Sequence, residues 1–140
     1  MPINRKLQNL FTGLNVKISE SGGTAGAIPV LYKIITAAGA TNAVDVTLDR
    51  QTEVTDVWVI LGGGGGNNAN KVNISNTATS ITADIIVGTA ADKGVVRTTS
   101  LDDSSYIIPA GGILRATATD SGAADIPALG VYVLGMIRTD

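Results

Sequence analysis

Short stretches in which apolar and polar residues alternate run through most of this chain, and they constrain its fold more than any other feature. The clearest lie at residues 44–48, 71–75 and 113–119. Because successive side chains of a β-strand point to opposite faces, a period of two indicates strands with one buried face. Residues 54–61 and 131–137 are apolar on both faces, which predicts central strands or strands whose second face is covered by a partner subunit.

Turn-forming residues separate these stretches. Gly, Asn, Asp and Pro cluster at 62–68, 92–94, 109–112 and 120–122, and they supply the backbone geometries that tight connections need. The spacing predicts about eight strands, at residues 30–37, 43–49, 54–61, 70–75, 80–87, 94–101, 113–119 and 130–138. We therefore expect a mainly β domain over residues 30–140, an antiparallel β-sandwich. Eight strands favour a jelly roll, although strand number alone does not separate it from other sandwiches.

The first 29 residues follow a different pattern and are predicted to form an N-terminal arm. Five apolar side chains recur there at helical spacing, which indicates a short amphipathic helix near residues 4–12. They are Ile3, Leu7, Leu10, Phe11 and Leu14. A helix this short is marginal alone in water, so its apolar stripe must pack against something. The candidates are the arm's own domain and the surface of a neighbouring protein.

Composition argues against most catalytic chemistry. The 140 residues include no His and no Cys, which removes the commonest general base, the thiolate nucleophile and the usual ligands of transition metals. The net charge is −2, and no basic cluster follows Arg5 and Lys6, so nothing indicates nucleic-acid binding. No apolar run is long enough to cross a bilayer. We therefore expect a protein that is not an enzyme and that needs no cofactor or metal.

Three features that invite a functional reading are better explained structurally. The glycine run 62–66 is followed by an alternating strand rather than by a helix and a Lys-Ser/Thr pair, so it is predicted to be a surface loop that is dispensable for folding. The acidic pairs Asp102/Asp103 and Asp120/Asp125 match no calcium-loop motif and are interpreted as solvated turn residues.

The few aromatic residues are also interpreted structurally. Trp58 lies in the most apolar stretch and is expected in the core. Tyr32 and Tyr132 are expected in the core or at an interface.

Several stretches resemble small β-rich structural proteins of tailed bacteriophages, especially the proteins that decorate, or cement, the capsid. The resemblance spans roughly residues 44–137 and is carried by strand-and-turn texture at 56–60, 71–74, 83–85, 97–103, 108–117 and 131–135. It implies a β-sandwich or jelly roll, often trimeric, that binds outside an icosahedral shell, with an N-terminal arm that helps it to dock. No site residue is carried over, because no motif defines one.

The resemblance leads to a specific expectation. The chain would be a virion structural protein, made in the host cytoplasm, that binds the major capsid protein at the capsid surface and stabilises the shell. The arm stripe Ile3, Leu7, Leu10, Phe11 and Leu14 would dock on the capsid. A homotrimer would form through Tyr132, Leu134 and Met136, the outer side chains of the last strand. The alternatives are another virion part, such as a tail, fibre or head-completion domain, and a carbohydrate-binding module.

Overall fold

The computed structural model describes residues 27–66, 69–102, 105–122 and 125–138. Within these ranges the chain forms nine strands and no helix. The strands are β1 (Ala27–Thr36), β2 (Asn42–Thr47), β3 (Thr52–Leu61), β4 (Lys71–Ser75), β5 (Ile85–Ile86), β6 (Val95–Arg97), β7 (Ile107–Ile108), β8 (Ile113–Thr119) and β9 (Leu129–Arg138). The mainly β prediction is therefore confirmed. The predicted arm helix lies outside the described residues, as does the arm itself up to residue 26.

The strands form two antiparallel sheets that pack face to face. In the five-stranded sheet, here called sheet A, the order is β1-β9-β3-β6, and the short β7 also pairs with β3. In the four-stranded sheet, sheet B, the order is β2-β8-β4-β5. The pairs β1–β9, β2–β8, β3–β6 and β4–β5 are nested one inside another along the chain. The prediction of an antiparallel β-sandwich is confirmed, and the two strands that are apolar on both faces, β3 and β9, are central in sheet A.

The period-two pattern explains how the core is filled. In β8, Leu114, Ala116 and Ala118 are buried while the residues between them are half-buried. In β3, Val57 and Val59 point inward, and a β-bulge between Val54 and Asp56 resets the alternation near the start of the strand. Burying such side chains contributes roughly 1.5–3 kcal/mol each. The core therefore lies between the two sheets, as the alternation predicted.

Two strands differ from the prediction. Residues 80–87 were expected to form one strand, but β5 is only Ile85–Ile86. Ahead of it, side chains replace the regular ladder: the Ile74 amide donates to the Thr82 hydroxyl at 3.1 Å, and the Asn73 side chain donates to the Thr82 carbonyl at 2.9 Å. Similarly, only Val95–Arg97 of the predicted strand 94–101 forms β6.

Two further differences concern a missed strand and a boundary. The strand β7 was not predicted, because its two residues are too few to show an alternation. The first strand begins at Ala27, ahead of the predicted start at residue 30.

The glycine run is a loop between β3 and β4, but the expectation that it is unpacked is wrong for Gly65. This residue is buried; its amide donates to the Ala90 carbonyl at 2.9 Å, and its carbonyl accepts from the buried Asn70 side chain at 2.9 Å. A Cβ placed on Gly65 would lie 1.9 Å from the Val87 carbonyl oxygen. The glycine is needed because two backbone segments approach each other more closely than any side chain allows.

Candidate functional site

A row of two cations and two aromatic rings crosses the outer face of sheet A, the face that points away from sheet B. Lys33 of β1 is in register with Tyr132 of β9, which is in register with Trp58 of β3, which is in register with Arg97 of β6. The two rings are stacked, with centroids 5.7 Å apart and planes 3° from parallel. Lys33 lies 5.8 Å from the Tyr132 centroid, and Arg97 lies 5.7 Å from the Trp58 centroid. We call these four residues the cationic–aromatic row.

Trp58 belongs to this row and not to the core, so the prediction that it is a core residue is wrong. Its neighbours Val57 and Val59 take the inward positions of β3, so Trp58 points outward and stays half-buried. Within the row, each ring is stacked on the other and has a cation on its far side. Such cation–π and stacked contacts contribute about 0.5–1.5 kcal/mol each. The ring faces are thus already occupied by partners from the same sheet.

Apolar side chains flank the row on both sides. On the strand β1, Leu31 and Ile35 are 53% and 63% exposed, and Val95 on β6 is 64% exposed. The predicted interface residues Tyr132, Leu134 and Met136 do share this outer face, since all three are half-buried while Val131, Val133 and Gly135 between them are buried. Their role in an oligomer stays a prediction.

The outer face of sheet B is polar. Arg115 of β8 donates two hydrogen bonds to the Asp45 carboxylate of β2, at 2.7 and 2.8 Å. These bonds hold the pKa of Asp45 below its ordinary value and raise the pKa of Arg115. Lys71 of β4 forms a further ion pair with Asp84 at 2.7 Å. The two outer faces of the sandwich therefore differ: that of sheet B suits water, and that of sheet A is largely apolar.

A depression opens on the apolar face beside the cationic–aromatic row. Gly130 of β9 lies in register between Ile35 of β1 and Ile60 of β3, and because it has no side chain it leaves a gap between them. The ring of Tyr132 borders the gap, 3.2 Å from where a Cβ of Gly130 would be. The resulting cavity has a volume of about 340 Å³. Its lining, here called the Gly130 depression, includes Lys33, Ile35, Ile60, Lys93, Gly130 and Tyr132.

Of the other sequence-predicted candidates, most lie outside the residues that the structure describes. The five arm residues Ile3, Leu7, Leu10, Phe11 and Leu14 lie outside the described residues, as does Asp103. Asp120 accepts the Gly122 amide at 2.9 Å, which is the turn role predicted for it. Over the described ranges, acidic side chains form no group of three or more that could hold a metal ion. The same ranges contain no helix that is long and apolar enough to span a membrane.

Sequence reasoning missed the cations and the glycine of this face. Lys33 interrupts an outward series of apolar residues, Leu31 and Ile35, and that interruption was the available signal. Arg97, Lys93 and Gly130 carry no such signal, because their relation to Lys33 depends on which strands pair.

Comparison with known proteins assigns the chain to no family. No protein-family model matches it, and no curated protein shows significant similarity to it. The outer face of sheet A is therefore the feature from which a function can be inferred.

Proposed function

We propose that this protein is a structural component of a bacteriophage virion. In this proposal the protein forms a closed homo-oligomer, preferentially a trimer, and it binds the outer surface of the capsid shell and stabilises the shell. The observation that carries the proposal is the contrast between the two outer faces of the sandwich. A face with Leu31, Ile35 and Val95 more than half exposed is costly to leave in water. Exposed apolar side chains concentrated on one face favour its being covered by another protein.

The edges of sheet A also support assembly. The strand β1 is ten residues long and lies at the end of the strand order, and among the described residues it pairs with β9 on one side only. Long apolar edge strands are prone to uncontrolled pairing unless a partner covers them. A closed ring removes this liability, and in a trimer the apolar face of one copy would pack against a different surface of the next.

The topology supports the finer fold expectation. Apart from the two-residue β7, eight strands make four nested antiparallel pairs that alternate between the sheets, β1–β9 and β3–β6 in sheet A, β2–β8 and β4–β5 in sheet B. A long hairpin rolled into two sheets produces such nesting, and this is the arrangement of a jelly roll. We therefore include a jelly roll in the proposal.

The oligomer is tested by light scattering on the wild-type protein and on two variants. Leu134→Glu places a charge on the outer face of sheet A, and the matched control Thr117→Glu places one on the outer face of sheet B. We expect the wild type and the control to have three times the chain mass at micromolar concentration, and Leu134→Glu to dissociate while keeping its β-sheet circular dichroism. A monomeric wild type would refute the oligomer.

Attachment is tested separately, with undecorated capsids of the phage that encodes the protein. A truncation lacking residues 1–20 and a Leu10→Asp, Phe11→Asp double variant should both fold and oligomerise, yet bind capsids weakly. The reason is that the two sheets of the described sandwich already form a large buried apolar cluster between them. Failure of either variant to fold would make the arm part of the core. Normal binding by both variants would mean that the docking surface lies on the sandwich itself. Absence of binding by the wild type would refute the capsid role.

The carbohydrate-binding alternative has less support. Sugar rings stack on open aromatic faces, whereas Trp58 and Tyr132 stack on each other and on cations. Saturable binding on a glycan array would revive this alternative.

A further inference from the structure

We propose that the Gly130 depression receives an apolar side chain of a second protein, at a place where that side chain is flanked by carboxylates. The inference deepens the proposed function, on which its biological setting rests, by giving the chemistry of the docking partner. Apolar walls, a glycine between them and two lysines in the lining are the features that support it.

The depression is large enough to admit a side chain of another protein. Its volume of about 340 Å³ compares with roughly 30 Å³ for each molecule of liquid water, so it is far larger than a site for one ordered water. Ile35 and Ile60 form opposite walls, and Tyr132 closes a third side. An aliphatic side chain placed there would displace water from apolar surface on three sides, as anchor residues at protein interfaces do.

The charges at the rim of the depression indicate which groups should surround the inserted side chain on the partner protein. Of the Lys and Arg side chains that the structure describes, Lys71, Arg97 and Arg115 are ion-paired within the domain. Lys33 and Lys93 line the depression, and neither forms an ion pair with any described carboxylate.

The lining of the depression contains no acidic residue. An incoming surface therefore meets two lysines that have no ion pair with a described carboxylate, and acidic groups on it would be attracted and oriented.

The same charges disfavour a second copy of this face as the occupant. If two copies stacked face to face with aligned strands, the cationic–aromatic rows would lie against each other. Lys33 of one copy would then face either Lys33 or Arg97 of the other, and like charges at an interface are destabilising. Of the three predicted oligomer residues, Leu134 and Met136 lie on the other side of the row from Gly130, and only Tyr132 borders the depression.

The test is a nuclear magnetic resonance titration of the full-length protein with three capped pentapeptides. The first has the central sequence Asp-Leu-Asp between glycines, the second has Lys-Leu-Lys, and the third has Asp-Ser-Asp. We expect the first to shift the amide signals of Gly130, Ile60 and Lys33 in the millimolar range, and the other two to bind at least about tenfold more weakly.

Variants distinguish binding at the depression from nonspecific electrostatic attraction of the acidic peptide to the protein. Gly130→Leu fills the depression, and the fold should tolerate it because a Cβ there meets the edge of the Tyr132 ring at 3.2 Å and backbone only at an ordinary contact distance of 3.8 Å. Lys33→Glu combined with Lys93→Glu reverses the rim charge. Both changes should abolish binding of the Asp-Leu-Asp peptide. Arg50→Glu is the matched control, since Arg50 is exposed, has no described ion pair and does not line the depression, and it should bind as the wild type does.

The outcomes distinguish this inference from the proposed function. Absence of shifts at the depression, or equal shifts with the Lys-Leu-Lys peptide, would overturn the inference. The proposed function would not be affected, because capsid attachment and oligomer mass are measured independently. Selective peptide binding by a protein that does not bind capsids would retain the depression as a site for an acidic partner and would refute the capsid role.

Discussion

Replacing Gly65 by Ala is the sharpest perturbation of this fold. The new Cβ would lie 1.9 Å from the Val87 carbonyl oxygen and 2.9 Å from the Gly88 carbonyl carbon, both backbone atoms. Real Cβ contacts are essentially never shorter than 3.0 Å, so one of the two segments must move by about an ångström or more. No side-chain rotation can relieve the clash, because neither atom belongs to a side chain.

The movement breaks two buried hydrogen bonds. One runs from the Gly65 amide to the Ala90 carbonyl, and the other from the Asn70 side chain to the Gly65 carbonyl, each 2.9 Å long. Each contributes about 0.5–1.5 kcal/mol, and a buried polar group left without a partner costs about 1–3 kcal/mol. We therefore expect Gly65→Ala to lower the free energy of unfolding by about 2–4 kcal/mol, which lowers the Tm of a domain of this size by roughly 8–15 °C.

Gly64→Ala is the matched control, one residue away in the same loop. A Cβ there has no atom within 4 Å, and its φ is not in the left-handed region. It should leave the Tm unchanged or raise it slightly, because Ala restricts the unfolded chain more than Gly by about 0.4–1 kcal/mol. Thermal unfolding followed by circular dichroism compares the two variants directly. If both melt at the wild-type temperature, Gly65 is not packed as described, and the original expectation of a dispensable loop would be restored.

Three further changes test other parts of the sandwich. Asp45→Asn removes the carboxylate whose pKa Arg115 lowers; the wild type should melt above the variant at neutral pH, and the difference should begin to shrink near the ordinary Asp pKa of about 4 and vanish only at lower pH, where the paired carboxylate becomes protonated. Thr36→Val should leave the Tm unchanged or raised, because the buried Thr36 hydroxyl has no hydrogen-bond partner among the described residues; a clear loss in calorimetry would contradict this. A double-mutant cycle with Trp58→Leu and Tyr132→Leu should give a coupling of about 0.5–1.5 kcal/mol in urea unfolding, and additive losses would mean that the stacking contributes nothing.

Sequence periodicity predicted strands whose pattern is long enough to read. The strand β8 matches its predicted bounds of 113–119, and β3 and β9 are central as their two apolar faces indicated. The two-residue strand β7 could not be predicted, because its pairing with β3 depends on a distant strand rather than on local alternation. The strand at 80–87 was predicted too long, since only Ile85–Ile86 of it pairs as β5.

The candidate site was predicted only in part, for a related reason. Tyr132 was placed on an outer face by the alternation of β9. Its contacts with Lys33 and Trp58, however, depend on the register of residues far apart in the sequence. Likewise, the local pattern of glycines does not distinguish Gly65, which is packed against Val87, from Gly64, which has open space around it.

The nested strand pairing has a consequence for how the chain reaches its native state. The outermost pair joins Ala27 to Arg138, which are near opposite ends of the chain, and β9 then fills the gap between β1 and β3 in sheet A. Contacts between residues so distant in sequence are slow to form, because the intervening chain must first be organised. During synthesis, the edges of β1 and β3 that pair with β9 in the native sheet therefore stay unpaired until β9 has left the ribosome. We expect the domain to fold only after β9 has been synthesised, and nascent chains that stop before β9 to be the species most prone to aggregate.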